Sequence, residues 1–186
     1  MRTVRRRSRA VTYEGLRRVI QRTYPDSDVE IQDGEYVVVS PHDLLSSSVV
    51  VRLVGLFDAW VRPRKLGYVF ESNGGFEFPD GDKRAPDVTF ISRERLPSVP
   101  RSFARAIPEL VIEVRSSTQS ERSVRHQLAS LLAKGCSVGV YVDPGERRVE
   151  IHRPGHEPVV LAPDGIVEFP EVLPGFGFAV AELWPE

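Results

Sequence analysis

Apolar positions alternate with polar ones in some stretches of this chain and recur at helical spacing in others. The two periods together predict a mixed α/β fold, because a strand alternates its faces while a helix repeats a face every three to four residues. Leu16, Val19 and Ile20 form a helical stripe behind Thr12, whose hydroxyl can cap the helix, with Glu14 in its first turn. Val29-Glu30-Ile31 and Tyr36-Val37-Val38-Val39 flank Asp33-Gly34, which predicts a hairpin. Leu45, Val49, Leu53, Leu56 and Trp60 predict a long helix halted before Pro63. Residues 68–71 and 76–78 sit either side of Asn73-Gly74-Gly75, a second hairpin signal. The runs 88–91 and 110–114 read as strands joined by a charged, proline-bearing surface excursion over 92–107. Thr118 and Glu121 fit a capping box for a helix whose buried stripe is Val124, Leu128, Leu131 and Leu132 and whose stop is Gly135. Residues 138–142 predict a central strand, which Pro144-Gly145 turns into 148–152. Beyond this the chain is proline-rich and predicts short strands at best.

Composition narrows the classes without choosing among them. The chain has 186 residues, 41% hydrophobic and 27% charged, which is ordinary usage for one globular domain with a sizeable core. Residues 1–11 read as a basic, flexible arm and residues 12–186 as a single domain. Net charge is -1, so the chain as a whole is not polyanion-seeking, although a local basic patch is allowed. Arg2, Arg5, Arg6, Arg7 and Arg9 crowd the N-terminus, where they either touch phosphate or form a solvated tail. Cys136 is the only cysteine, which excludes an intramolecular disulfide and a cysteine metal cluster. The apolar stretches read as short of a membrane span, and no apolar region follows the basic N-terminus as in a secretion signal. A cytoplasmic protein is expected.

The candidate chemistry lies between residues 85 and 144. On a strand over 110–114, Leu110, Ile112 and Val114 point one way; Glu113 and Arg115 share the other face. If the run after Asp87 lies alongside, Asp87 and Glu113 converge. Two carboxylates beside a cation can hold Mg²⁺ against a phosphate. The alternatives are a turn role for Asp87 and a simple ion pair between Glu113 and Arg115. A glutamate in so apolar a strand must nevertheless be paired, metal-bound or protonated. His42, His126, His152 and His156 lack the paired spacing of a zinc site, and His42 and His126 read as surface residues.

Pro86-Asp87, followed by Glu113-Val114-Arg115, resembles the PD-(D/E)xK nuclease signature with arginine in the lysine position. More specifically, Ala85-Pro86-Asp87-Val88, Glu113-Val114-Arg115-Ser116, Gly135 and Tyr141-Val142-Asp143-Pro144 resemble the Uma2 (DUF820) family of restriction-endonuclease-like proteins, from about Tyr13 to Glu182. The resemblance implies a mixed central sheet flanked by helices, preceded by a helix and hairpin. It implies that Asp87, Glu113 and the Val114 carbonyl hold Mg²⁺ or Mn²⁺, with Glu30 joining directly or through water. Many family members carry a helix lysine followed four residues later by a tyrosine; here those positions are Gln127 and Leu131. Arginine is always protonated and gives charge but no base, while glutamine can orient water but carries no charge.

The expected function is metal-dependent DNA endonuclease; the rival is a catalytically weakened nucleic-acid-binding or regulatory protein of the same fold. A homodimer is the expected assembly, with no membrane. The positive charge for DNA is expected from Arg5, Arg6 and Arg7 and from Arg62, Arg64 and Lys65, giving binding that weakens steeply with salt.

Overall fold

The computed structural model describes residues 2–4 and 12–185, with side chains from residue 12 onward. In chain order the elements are strand β1 (Arg2–Val4), helix α1 (Tyr13–Thr23), strands β2 (Asp28–Gln32) and β3 (Glu35–Val39) and helix α2 (Leu44–Arg64). Strands β4 (Gly67–Glu71), β5 (Phe76–Glu77), β6 (Lys83–Arg84), β7 (Val88–Ser92) and β8 (Leu110–Val114) follow, then helix α3 (Glu121–Ala133). The chain ends with β9 (Val138–Asp143), β10 (Arg148–His152), β11 (Val159–Val160), β12 (Ile166–Glu168), β13 (Gly177–Ala179) and a 3₁₀ turn (Val180–Leu183).

Two larger sheets result, ordered β1-β3-β2-β6-β5 and β11-β10-β9-β8-β7-β4. The second is mixed: β8 and β9 run parallel, while β7 and β10 pair antiparallel to them. Parallel neighbours need a crossover, and α3 supplies it. The alternation in β8 assigns its faces. Leu110, Ile112 and Val114 join Val49, Leu53 and Phe57 of α2, while Val111 joins Val124, Leu128 and Leu131 of α3. Strand β9, covered on both faces, is buried at every position. This is the mixed α/β fold that the periodicity predicts, with the central sheet between helices that the resemblance implies.

Thr12 caps α1 through Gly15 N, and the β2–β3 hairpin turns at Asp33 and Gly34, both at positive φ. Gly135, at φ 106°, follows α3 as expected. Four details differ from expectation. Helix α2 runs through Pro63, which sits in the final turn, and closes at Lys65 in the left-handed region. It is also long and apolar enough to cross a membrane, although its Val49, Leu53, Phe57 and Val61 are in the core. Asn73-Gly74-Gly75 is a passage between sheets instead of a hairpin, since β4 pairs with β7 and β5 with β6. Helix α3 is capped by Ser120, which accepts from Ser123 N, and not by Thr118.

At the two ends of the chain, more is ordered than composition suggests. Phe169, Phe176 and Phe178 gather around Phe57, so the proline-rich C-terminal segment closes the core under α2. Arg2–Val4 pairs with β3, so the first part of the basic arm is a sheet edge. Arg5, Arg6, Arg7 and Arg9 lie outside the described residues.

Gly67 shows how closely β4 and β7 approach. A Cβ there would lie 2.1 Å from the Ile91 carbonyl oxygen, a backbone atom that cannot step aside. Gly67→Ala is therefore expected to cost more than about 2 kcal/mol, an overpacking penalty. Urea unfolding checks this; an unchanged midpoint would show that the strands can separate freely.

Candidate functional site

Register brings the predicted carboxylates together. Val88 lies opposite Ile112 and Phe90 opposite Leu110, so the next pair outward sets Asp87 level with Glu113. The Asp87 carboxylate is held in place, with Oδ2 accepting from Val114 N at 2.7 Å. Glu30 arrives from the other sheet on β2, and its Oε1 accepts from Ala85 N at 2.9 Å, two residues before Asp87. Gln127 reaches the same place from α3. These four residues line one cavity of about 630 Å³, walled by both sheets and by the entry to α2.

The cavity floor is strongly acidic. Burial pushes the Glu113 carboxyl well above its usual range, and the charges of Asp87 and Glu30 push it further; Arg84 opposes them. Burial likewise raises Glu30, against Arg84, Gln32 and the Ala85 N–H. Both effects disfavour a cluster of like charges unless a cation joins it.

Arg115 does not line this cavity. Its Nε and Nη2 donate to Asp143 at 2.6 and 3.1 Å, and its Nη1 donates to the Gln119 carbonyl. The cause is register: Glu113 faces Tyr141 and Val114 faces Val142 on the parallel strand, so Arg115 comes level with Asp143. Burial alone would raise Asp143, but Arg115, Glu146 N–H and Tyr141 together hold it below its usual value. The cation expected beside Glu113 is committed elsewhere, and the ion pair considered for Glu113 and Arg115 is instead one between Arg115 and Asp143.

Arg84, which the sequence reading passed over, stands nearest in its place. Its guanidinium is buried, with Nε 3.5 Å from Glu30 Oε2 and Nη1 3.7 Å from Asp82 Oδ2. Its Nη2 donates to the Gln127 carbonyl at 3.4 Å. His42 was also missed. It is largely buried, not on the surface, and its Nε2 lies 3.2 Å from Asp87 Oδ1. The hydrogen bond to Asp87 lifts His42 above its ordinary value. The signal was present: Asp43, before an apolar helical run, is an N-cap. Its carboxylate accepts from Ser46 N and Ser117 N, which holds it below the usual carboxylate range and fixes His42 at the cavity edge.

The cations expected from the end of α2 are distant. Arg62 pairs with Asp58, and Arg64 stacks on Trp60 at 3.5 Å. Both belong to the C-terminal end of α2, whose N-terminal end meets the cavity. Twenty-one helical residues separate the ends by about 30 Å. Exposed Arg101, together with Arg17 paired to Asp28, lies at the cavity instead.

The donor set suits a hard divalent cation. Among the described residues no three His, Cys, Asp or Glu side chains suffice for an ion by themselves. Mg²⁺ usually takes only one or two protein carboxylates and retains several waters. Asp87 and Glu113 match that need, and a carboxylate offers about four acceptor positions, so the Val114 and His42 contacts leave Asp87 with capacity. Glu30 has both oxygens engaged, by Ala85 N and by Gln32 Nε2 at 2.7 Å, which fits a supporting place better than a direct one.

The family model described as "Uma2: Putative restriction endonuclease" matches residues 13–181. The crystal structure of a "putative nuclease belonging to DUF820" from Anabaena variabilis shares the fold, with a TM-score of 0.74 and 22% identity. The match covers 84% of this chain and 89% of that one. No curated protein matches. With the family model spanning nearly the whole domain and the same fold seen in a DUF820 protein, the chain belongs to the Uma2 family.

Proposed function

We propose that this protein is a metal-dependent DNA endonuclease of the cytoplasm. The observation that carries this reading is the meeting of Asp87 and Glu113 at the floor of one cavity, with burial and like charge both calling for a cation there. Asp87 and Glu113 would hold Mg²⁺ or Mn²⁺, with the Val114 carbonyl beside them and Glu30 supporting the pair. When bound, the ion supplies Lewis-acid polarisation of a phosphodiester and acidifies a water. Val114 N–H and His42 fix the Asp87 carboxylate. Gln127 offers an amide to orient water, and Arg101 at the rim offers charge to an approaching phosphate.

The test is cleavage of supercoiled plasmid at low ionic strength with Mn²⁺ or Mg²⁺ and with chelator. Divalent-dependent nicking is expected, weakening steeply as salt rises because each neutralised phosphate releases counterions. No cleavage under any divalent ion, together with no DNA binding to single or double strands, would sink the reading.

A second reading, a catalytically weakened nucleic-acid-binding or regulatory protein, is favoured by two observations: Arg115 is bound to Asp143, and Gln127 stands where many family members carry the helix lysine. Under it the same assay gives salt-sensitive DNA binding without nicking.

A further inference from the structure

Arg84 is the bulkiest fully buried side chain among the described residues, and it brings a guanidinium into the interior. Elsewhere this protein pairs its inward guanidinium groups closely. Arg115 grips Asp143 at 2.6 and 3.1 Å, and Arg125 grips Glu150 at 2.9 and 3.2 Å. Arg84 is held differently. Its contacts to Glu30, Asp82 and the Gln127 carbonyl are 3.4 to 3.7 Å long, and Nη1 has no hydrogen-bond partner. A buried guanidinium in such loose geometry is not accounted for as a stabilising salt bridge. It lies behind the cavity wall and is not among the lining residues, while Glu30, Asp87 and Glu113 lie on the cavity side.

We propose that Arg84 is a resident counter-ion for the Glu30, Asp87 and Glu113 cluster: a positioning residue that holds the three carboxylates together without metal and opposes a divalent ion for their charge. This rests on the metal reading above. Arg84 cannot touch substrate, so its effect passes through the carboxylates. It supplies from behind the fixed charge that Arg115 gives to Asp143. The sequence places it three residues before Asp87, on the two-residue strand β6, which ties it to β2 and hence to Glu30.

The experiment measures Mn²⁺ binding by electron paramagnetic resonance of the free ion, and thermal unfolding with and without Mn²⁺. Arg84→Met should lower the metal-free melting temperature and recover more of it from Mn²⁺ than wild type gains. Arg84→Lys keeps the charge and should bind Mn²⁺ within twofold of wild type. Removing one member of a buried pair can prevent folding, so the decisive comparison is made where Glu30 is neutral as well. Adding Arg84→Met to Glu30→Gln should tighten Mn²⁺ binding at least fivefold. If the double variant is folded by circular dichroism and binds no tighter than Glu30→Gln, Arg84 is a structural brace and the proposal fails. A double variant that folds neither with nor without Mn²⁺ overturns it in the same way. Mn²⁺ binding in wild type that ignores these charge changes overturns this proposal alone. No Mn²⁺ binding in wild type or any variant overturns it together with the metal reading.

Discussion

Replacing Glu113 by glutamine is expected to abolish divalent-dependent cleavage and, at the same time, to stabilise the metal-free protein. Losing groups that merely support metal ligands costs 10- to 100-fold, so losing a ligand should cost about a hundredfold or more. The stability effect has the opposite sign for a reason that can be followed step by step. Burial and the neighbouring charges of Asp87 and Glu30 raise the folded-state pKa of Glu113 well above its unfolded value. Between those two values the folded protein holds a proton that the unfolded chain has released. Stability therefore falls as pH rises from the ordinary glutamate value towards the raised one, and it stays reduced above that. Glutamine lacks this dependence. The stability difference between Glu113→Gln and wild type should be small below about pH 4 and should open in favour of the variant as pH rises. Mn²⁺ should reverse the order, because an ion that binds only the folded state stabilises the protein that can hold it. Thermal unfolding across pH, with and without Mn²⁺, reads all of this. A variant less stable than wild type at pH 8 without metal would mean that Glu113 is satisfied by a partner. Mn²⁺ shifts equal in both proteins would place the ion elsewhere.

The fold was legible where local chemistry decides it. Thr12, Asp33-Gly34, Gly135 and the apolar run of β9 state their elements directly, because caps, positive-φ turns and doubly covered strands each demand particular residue types. Long-range pairing was not legible. Asn73-Gly74-Gly75 looks like a hairpin, yet the glycines are needed for close passage: a Cβ on Gly75 would fall 2.3 Å from the Phe103 ring. The site divides along the same line. Asp87 and Glu113 follow from alternation within two strands and a single pairing assumption. Arg115 went astray because its partner depends on which strand lies beside β8, and a parallel neighbour reached through α3 is set by the whole domain. Asp143 stands at the same offset beyond Tyr141 as Arg115 does beyond Glu113, and this signal gains meaning only once those strands are paired. Arg84 was passed over for a related reason. Arginine is normally an exposed residue, and nothing local to Lys83-Arg84 tells which of the two cations turns inward.

Gln127→Lys is expected to raise the cleavage rate at saturating Mn²⁺ by at least about tenfold, the scale of well-placed charge stabilisation in a transition state. The structure gives this change a basis that helix position alone did not. Gln127 is only 6% exposed and lines the cavity with Glu30, Asp87 and Glu113, so an ammonium there reaches the place where charge develops on a phosphate. The substitution also carries a cost that a helix-flank position would not. The Gln127 Nε2 donates to Gln32 Oε1 at 3.4 Å, and the Gln127 carbonyl accepts from Arg84. A lysine side chain loses the amide contact and sets a second cation near a buried guanidinium. Stability should fall by about 1–3 kcal/mol, the range of a disturbed buried polar network. Mn²⁺ affinity should weaken as well, since the new charge opposes the ion; this is why the rate must be compared at saturation. Gln127→Met separates charge from packing: it has similar length, no charge and no hydrogen bond, so it should lose stability and gain no activity. If both variants slow cleavage alike, the role of Gln127 is structural, through its buried polar contacts such as that to Gln32. The weaker nucleic-acid-binding reading then gains, because restoring the missing positive charge would have failed to restore catalysis.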